Sequence, residues 1–403
     1  MQRCLLTAVY LTGLLATAVF GQDDVEVEFY SFTQESLFPS AIISTALTDW
    51  DPETQTAEDH PQFTESDADV PLYGDENGWL GVNLTGLPEE AEIEVVISID
   101  KILKPAKWKG TLKEGHTDAL IIPKAAWNYD ALHLVREERP VNVEIRVTVD
   151  DEVVAELTEV CVLKSINDCP FYVYAEEGGE DFDDISVVFA AYVNENHPFI
   201  NGVLKDALAT EIVDAFTGYQ SGDPEQVAKQ VFAVWTALHE RGISYSDVST
   251  TTPSKTVACQ TVRFLDESIK SQQANCVDGS VMLASILRKI GLHVHLVMVP
   301  GHCLLAFDLD KEGTKLLGLE TTLLGDVSES APEELPEWLA SFDELESTTA
   351  FPSFATAILA GTGTVVKHAE GFDSGEDPNT QIISVDEARK MGIRPIAMKQ
   401  GGK

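Results

Sequence analysis

From Val25 to Val162 apolar and polar residues alternate with a period of two. Ala91-Glu92-Ile93-Glu94-Val95-Val96-Ile97-Ser98-Ile99 sets its apolar side chains on one face of an extended chain. Val141 to Val149 repeats the pattern, and Val153 to Val162 continues it beyond Asp150-Asp151. Successive side chains of a strand point to opposite faces, so each run predicts a strand with one buried face. The last two runs, joined by their acidic pair, predict a hairpin. Pro and Gly punctuate the remainder and no long helical stripe appears, so this region is expected to fold as an antiparallel β-sandwich.

Past Cys169 the period changes. Val187 to Val193 and Val203 to Phe216 carry apolar residues at helical spacing. Pro224 stands at a helix start, and Val227, Val231, Val234, Trp235 and Leu238 form a stripe that ends near Gly242, as a core-facing helix requires. Thr251-Thr252-Pro253 marks a loop. Asn275-Cys276-Val277-Asp278-Gly279-Ser280 then opens a second stripe of Val277, Val281, Ala284, Leu287 and Ile290, closed by Gly291. Two strand-like runs follow, Leu292 to Pro300 and, after Gly301-His302-Cys303, Leu304 to Leu309. Lys315 to Thr322 is a further arm with Glu320 at its end. Beyond Asp326 the chain is acidic. A helical stripe is expected from Leu335 to Leu345, Phe351 to Leu359 is apolar, Gly371 to Pro378 reads as a linker and Val385 to Met391 as a short helix.

The chain has 403 residues, with 67 Asp plus Glu against 27 Lys plus Arg and a formal net charge of −40. With 44% hydrophobic residues it is too apolar for wholesale disorder, and its length suits two or three domains. Such an excess of negative charge excludes a nucleic-acid binder, which needs a cationic footprint, and disfavours an anionic membrane surface. Met1 to Gly21 reads as a secretory signal: Arg3 supplies the positive start, Leu5 to Phe20 is apolar, and Ala16, Ala18 and Gly21 offer cleavage positions. No other segment has spanning length, so a soluble protein, secreted or periplasmic, is expected. Four segments result: a signal peptide (1–21), a β-sandwich domain (22–165), a second domain with the chemistry (170–326) and an acidic C-terminal extension (327–403).

Cys276 falls at a helix N-terminus, where unsatisfied amides and the helix dipole favour a thiolate. His302 follows 26 positions later and Glu320 a further 18, both on strand-like runs. A cysteine nucleophile needs a base for its proton and an acceptor to orient the imidazole, and this order supplies all three.

The stretch from Asn275-Cys276-Val277-Asp278 through Ile286-Leu287-Arg288-Lys289-Ile290-Gly291-Leu292, then Gly301-His302, then Leu319-Glu320-Thr321-Thr322, resembles the transglutaminase-like superfamily. Upstream, Val231 to Tyr245, ending in Gly242-Ile243-Ser244-Tyr245, is similar to the family's helix followed by Ile-x-Tyr. The likeness covers about 150 residues of the second half. It implies an α+β papain-like domain with Cys276 as nucleophile, His302 as base and Glu320 as orienting acid. Two departures stand out: the family commonly follows its His with Ala-Trp where this chain has Cys303-Leu304, and its third residue is usually Asp. The first half is expected to be an all-β sandwich of immunoglobulin-like type in architecture alone, since the usual paired Cys and core Trp are not evident.

The remaining candidates are weighed against simpler roles. Gln260 is the candidate oxyanion donor, with Gln272 and Gln273 behind it and the Cys276 amide as partner. Asp278 reads as a helix N-terminal charge rather than a catalytic acid. His293 and His295 with Cys303 lack the paired-Cys spacings of structural zinc. Asp181, Asp183 and Asp184, like the acidic loop Asp49 to Asp69, do not match a calcium loop, so no metal and no cofactor is expected. Asn83-Leu84-Thr85 is a glycosylation acceptor sequence. Without Cys4 of the signal, five cysteines remain, an odd number. If His302 faces the site, Cys303 faces away and is available to Cys259; Cys161 with Cys169 would close a short loop, leaving Cys276 as the spare thiol. The expected function is thiol-dependent acyl transfer or hydrolysis at an amide bond of a protein or peptide substrate. The alternative is a non-catalytic binding protein that keeps the fold.

Overall fold

The computed structural model describes residues 25–46, 63–64, 70–75, 77–179, 181–247, 254–326, 332–344, 349–374, 377 and 379–396. The signal segment Met1 to Gly21, the Thr251-Thr252-Pro253 loop and, apart from Phe63–Thr64, the acidic loop Asp49 to Asp69 lie outside the described residues. The architecture is mixed α/β, with several open sheets and no barrel among the described residues. No helix among them is long and apolar enough to cross a membrane. The chain divides into two compact units, Met1–Ile185 with Thr252–Gln260, and Ser186–Thr251 with Thr261–Lys403.

The first unit is built on strands. One sheet runs, edge to edge, through Ser36–Leu37, Glu152–Leu163, Arg139–Val149, Glu92–Ile99, Leu103–Thr111 and Ala126–Trp127. A second runs through Glu26–Ser31, Leu80–Thr85, Ala119–Ile122, Leu72–Gly74 and Phe63–Thr64. The alternating runs bury the face their pattern assigns: Ile93, Val95, Ile97 and Ile99 on one strand, Val143, Ile145, Val147 and Val149 on its neighbour. The expected hairpin closes at Val149↔Glu152, with Asp150 at φ 48° and Asp151 at φ 66°, the left-handed pair that a two-residue hairpin turn demands. Its register shifts after Val147, which is why the consecutive residues Val154 and Ala155 are both buried. Side chains of the two sheets meet where Tyr73 packs edge-on against Trp108, with ring centroids 5.9 Å apart. Asn83 is a correction to the glycosylation reading. Its strand pairs on both sides, with Glu28 and Leu120 opposite, and its side chain is buried, so the folded protein has no room for a glycan there.

The second unit is built on helices around a four-stranded antiparallel sheet, Leu316–Leu319, His302–Asp308, Val294–Val299 and Gln381–Ser384. Helix Pro224–Glu240 starts where expected, because the Asp223 side chain accepts from the Glu225 amide at 3.0 Å and Pro224 occupies the first turn. Its five stripe residues are all buried. Helix Cys276–Lys289 is buried nearly all round, with Val281, Met282, Leu283, Ala284, Ile286 and Leu287 inside. Elsewhere the boundaries differ from the pattern. The segment expected as a helix from Val203 to Phe216 is a helix over Phe199–Ala209, stopped where Thr210 turns its hydroxyl back onto the Ala207 carbonyl and Glu211 takes φ 59°. Val187 to Val193 forms a 3-10 helix, Ser186–Tyr192, and the linker expected from Gly371 begins inside a helix, Ala369–Ser374.

Residues beyond 326 build part of this core. Helix Phe351–Lys367 sends Phe354 onto Phe232, 4.9 Å between centroids, and Ser353 accepts the Trp235 indole N–H at 3.1 Å. The same helix crosses strand Leu316–Leu319 backbone to backbone. A Cβ on Gly361 would fall 2.5 Å from the Leu319 nitrogen and 2.7 Å from the Glu320 nitrogen, and one on Gly318 would collide with the Gly361 backbone. Gly361→Ala is therefore expected to lower stability by roughly 1–3 kcal/mol through overpacking. In Gly363→Ala, two residues along, the added Cβ meets nothing within 4 Å, and a gain of about 0.5–1 kcal/mol is expected from helix propensity alone. Urea unfolding of both variants checks this, and equal gains would refute the close crossing.

Candidate active site

Cys276 owes its place to the residue before it. Asn275 has the extended backbone of a helix cap, its side chain accepts the Asp278 amide at 2.8 Å, and Asp278 accepts the Asn275 amide at 3.1 Å. This reciprocal pair is a capping box written with Asn and Asp, and it fixes Cys276 as the first helical residue. The amides of that first turn have no acceptor within the helix. Asp278 also takes the Arg263 amide and guanidinium, both at 2.7 Å. Burial pushes its carboxyl above the usual range, against the opposing pull of those Arg263 and Asn275 hydrogen bonds. Asp278 is therefore the helix anchor that its position suggests.

The Cys276 carbonyl oxygen accepts two hydroxyls, Ser280 at 2.7 Å and Thr321 at 3.2 Å. The second bond fastens the segment carrying Glu320 to the backbone of Cys276 itself. Gly279 makes the approach feasible, since a Cβ there would lie 3.0 Å from Thr321 Oγ1 and 3.1 Å from its Cβ.

His302 opens strand His302–Asp308, opposite Val299, across a turn in which Gly301 takes φ 72°. Its Nε2 is 2.7 Å from Glu320 Oε2. The imidazole pKa is pushed up to about 10, first by the nearby Cys276 thiol, then by the Glu320 hydrogen bond, with burial opposing. Glu320 caps the one-turn helix Thr321–Leu323: its Oε1 accepts the Thr322 amide at 3.1 Å and hydroxyl at 2.6 Å. Burial alone would raise the Glu320 pKa, but the hydrogen bonds from His302 and Thr322 outweigh it and hold the carboxyl below its ordinary value. Its own amide donates to the Ala357 carbonyl of the crossing helix at 2.9 Å.

The structure thus brings Cys276, His302 and Glu320 together within the second unit. Gln260 stands on strand Val257–Thr261, in the portion belonging to the first unit. Gln272 takes a left-handed backbone, φ 56°, and spends its amide N–H on the Arg241 carbonyl. Ser280, Thr321 and Thr322, which tie the three together, were not picked out by spacing. The only sequence signal was the Thr-Thr pair after Glu320.

The expected disulfide pairings are corrected. Among the described residues no disulfide joins Cys161, Cys169, Cys259, Cys276 and Cys303. Cys303 is fully buried, and its thiol sits beside the Ser280 hydroxyl on the Cys276 helix, with burial pushing its pKa far up. The cysteine that Cys169 senses is Cys259 on the adjacent strand, not Cys161. Cys303 does not stand apart from the site: its thiol is within electrostatic reach of Cys276 and Glu320. The histidines of the zinc reading are taken by carboxylates: His293 Nδ1 lies 2.5 Å from Asp386 and His295 Nε2 3.3 Å from Asp308. No three His, Cys, Asp or Glu side chains among the described residues converge to hold a metal ion.

Compared with protein-family models and with curated proteins, the chain matches none of either.

Two outcomes follow from the geometry. Asp278→Asn, which removes the counter-charge of Arg263, is expected to cost up to roughly 3 kcal/mol in urea unfolding, the low end for a broken buried pair because Arg263 keeps contact with water. A loss near zero would show that the cap holds without it. The second concerns pH. His302 binds its proton more tightly folded than unfolded, so its stabilisation is whole below about 6.5 and is lost as pH rises through about 10. Glu320 has the opposite sense: its contribution is present above the ordinary carboxylate range and is lost in acid. The stability gap between wild type and His302→Ala should therefore narrow steadily from pH 6.5 to 10 in urea unfolding. A gap independent of pH would contradict the imidazolium pairing.

Proposed function

We propose that the second unit is a transglutaminase-like, papain-like acyl-transfer domain acting through Cys276, His302 and Glu320. The observation that carries this is the 2.7 Å pairing of the His302 imidazole with the Glu320 carboxylate, with the Cys276 thiol at a helix start close enough to raise the imidazole pKa. Glu320 orients the ring and stabilises its charged form. The Cys276 thiolate attacks a carbonyl carbon, the C–S bond forms, and the carbonyl π electrons move onto oxygen, where the first-turn amides meet them. On collapse the C–N bond breaks and His302 gives its proton to the leaving amine. Water, deprotonated by His302, then cleaves the thioester, releasing the acid and restoring the thiol. An amine in place of water would give transamidation. Hydrolysis is preferred, because nothing in the sequence specifies recognition of a lysine amine.

His302 keeps about a third of its side-chain surface exposed and Cys276 is half-buried, so a protein or peptide substrate can reach both. The first unit, with its two sheets meeting at Tyr73 and Trp108, is read as an immunoglobulin-like sandwich. Export follows from the segment Met1 to Gly21, and no metal or cofactor is invoked.

The test uses two reagents on one thiol. Iodoacetamide at pH 6.5 is expected to alkylate Cys276 in wild type and at least tenfold more slowly in His302→Ala. p-Nitrophenyl acetate is expected to leave one acetyl group on wild type by intact mass and none on Cys276→Ala, with His302→Ala slowed roughly a hundredfold or more. A Cys276 inert to both reagents would refute catalysis and leave the binding protein in its place.

A further inference from the structure

The larger sheet of the first unit ends on each side in a strand of two residues, so the long strand next to each is left largely open. The two long strands are finished differently. Leu103–Thr111 meets Ala126–Trp127 only at Leu103 and Lys104, and beyond them it carries Pro105, Lys107 and Lys109. Proline and lysine are the residues that keep a free edge from pairing with another chain. Glu152–Leu163 meets Ser36–Leu37 only at Val162 and Leu163, and among the described residues no strand pairs with the rest of its outer side. It has neither Pro nor Lys, and it exposes Val153 and, at 61%, Val160.

The direction of its backbone groups is fixed. The Val162 amide donates outward to Glu35 at 2.7 Å, and the Lys164 amide to Leu37 at 2.8 Å. On the inner side Val162 stands opposite Pro140, which has no amide to offer. Backbone groups alternate between the two sides of a strand, so Glu156, Thr158 and Val160 turn their N–H and C=O the same way as Val162. Across the hairpin they face Arg146, Glu144 and Asn142 without sharing ladder bonds with them, and the Thr158 hydroxyl donates to Glu144 at 2.9 Å. The register shift comes earlier, beside Ala155, and leaves residues 156–161 regular.

The open run is acidic. Glu152 and Glu156 are exposed and Glu159 is half-buried. Arg146 approaches Glu156 to 3.6 Å, but both side chains are more than half exposed, and such a pair holds little. Two copies joined at this edge would set these glutamates against one another. The lysines of the opposite edge are held in their own sheet, Lys107 by Glu94 and Lys109 by Glu92, and Pro105 interrupts that edge. The occupant that fits is therefore a cationic chain other than this one.

We propose that strand Glu152–Leu163 is a docking edge, which takes an extended lysine- or arginine-rich segment of another protein as an added strand. The amides and carbonyls of Glu156, Thr158 and Val160 pair with its backbone, and the glutamates select its charge. This site lies in the first unit and stands independently of the acyl-transfer reading of Cys276.

The probe is a fluorescein-labelled peptide of alternating lysine and valine, titrated with the full chain and followed by fluorescence anisotropy. Val160→Pro removes an outward amide while sparing the bonds to strand Arg139–Val149, and an unchanged urea midpoint verifies its fold. Glu156→Lys alters one exposed side chain and leaves the backbone intact. The expected result is binding by wild type, weakened at least tenfold in each variant, and none of the same peptide methylated on every backbone nitrogen. Should Val160→Pro fail to fold, Glu156→Lys and the methylated peptide decide. Absence of binding by wild type overturns the proposal, as does full-strength binding by either folded variant. Equal binding of the methylated peptide also overturns it, since charge alone would then hold the ligand. Self-association of wild type that Val160→Pro abolishes would assign the edge to a second copy and overturn it as well.

Discussion

Glu320 reaches His302 because backbone runs against backbone on either side of it. At Gly318 and Gly361 a strand and a helix touch without intervening side chains, and at Gly279 the Cys276 helix comes close to Thr321. Each contact removes about one side chain's thickness from the spacing between elements. A carboxylate that caps its own turn through Thr322 can then stand 2.7 Å from an imidazole on the neighbouring strand. The rest of the second unit supports this arrangement. Trp235 and Phe232 fix the crossing helix, and the capping box of Asn275 and Asp278 fixes the start of the other. Glycine here is selected for what it lacks, and three glycines far apart in sequence act on one turn of chain.

Much of this was legible in the residues. Period-two runs marked the hairpin and the buried faces of the strands, because a sheet that buries one face leaves no choice about alternation. Stripes at helical spacing located the two principal helices, and Asn275 with Asp278 marked the cap. That Cys276, His302 and Glu320 belong together was legible as well, since a thiol, an imidazole and a carboxylate on consecutive elements make an ordered signal. What could not be read depends on contacts between distant segments. Gly361 looks like an ordinary helix glycine until the strand beneath it is known. Strands of two residues, such as Ser244–Tyr245, are too short to show a period. The helix at Phe199–Ala209 stops because of a hydroxyl and a left-handed residue, neither of which breaks an apolar stripe. Counting cysteines assumed that an oxidising compartment pairs what it can, but burial separates them: Cys303 lies against the Ser280 hydroxyl, and Cys161 lies on another sheet with its thiol pushed up to about 12, first by burial and then by Glu159 and Glu35.

The net charge of −40 also looks different once the site is known. Two acids of the site are engaged, Asp278 with Arg263 and Glu320 with His302 and Thr322, so neither adds an unopposed charge there.

The crossing helix has a temporal consequence. A chain is made from its N-terminus, and domains fold as their residues emerge. Cys276 and His302 are synthesised well before Gly361, and the sheet that carries His302 gains its outer strand only with Gln381–Ser384. Ile396 returns last, donating its amide to Ala191 at 2.8 Å. Until nearly the whole polypeptide has been made, the segment that holds Glu320 against His302 is therefore incomplete, and the order of translation keeps Cys276, His302 and Glu320 from meeting early.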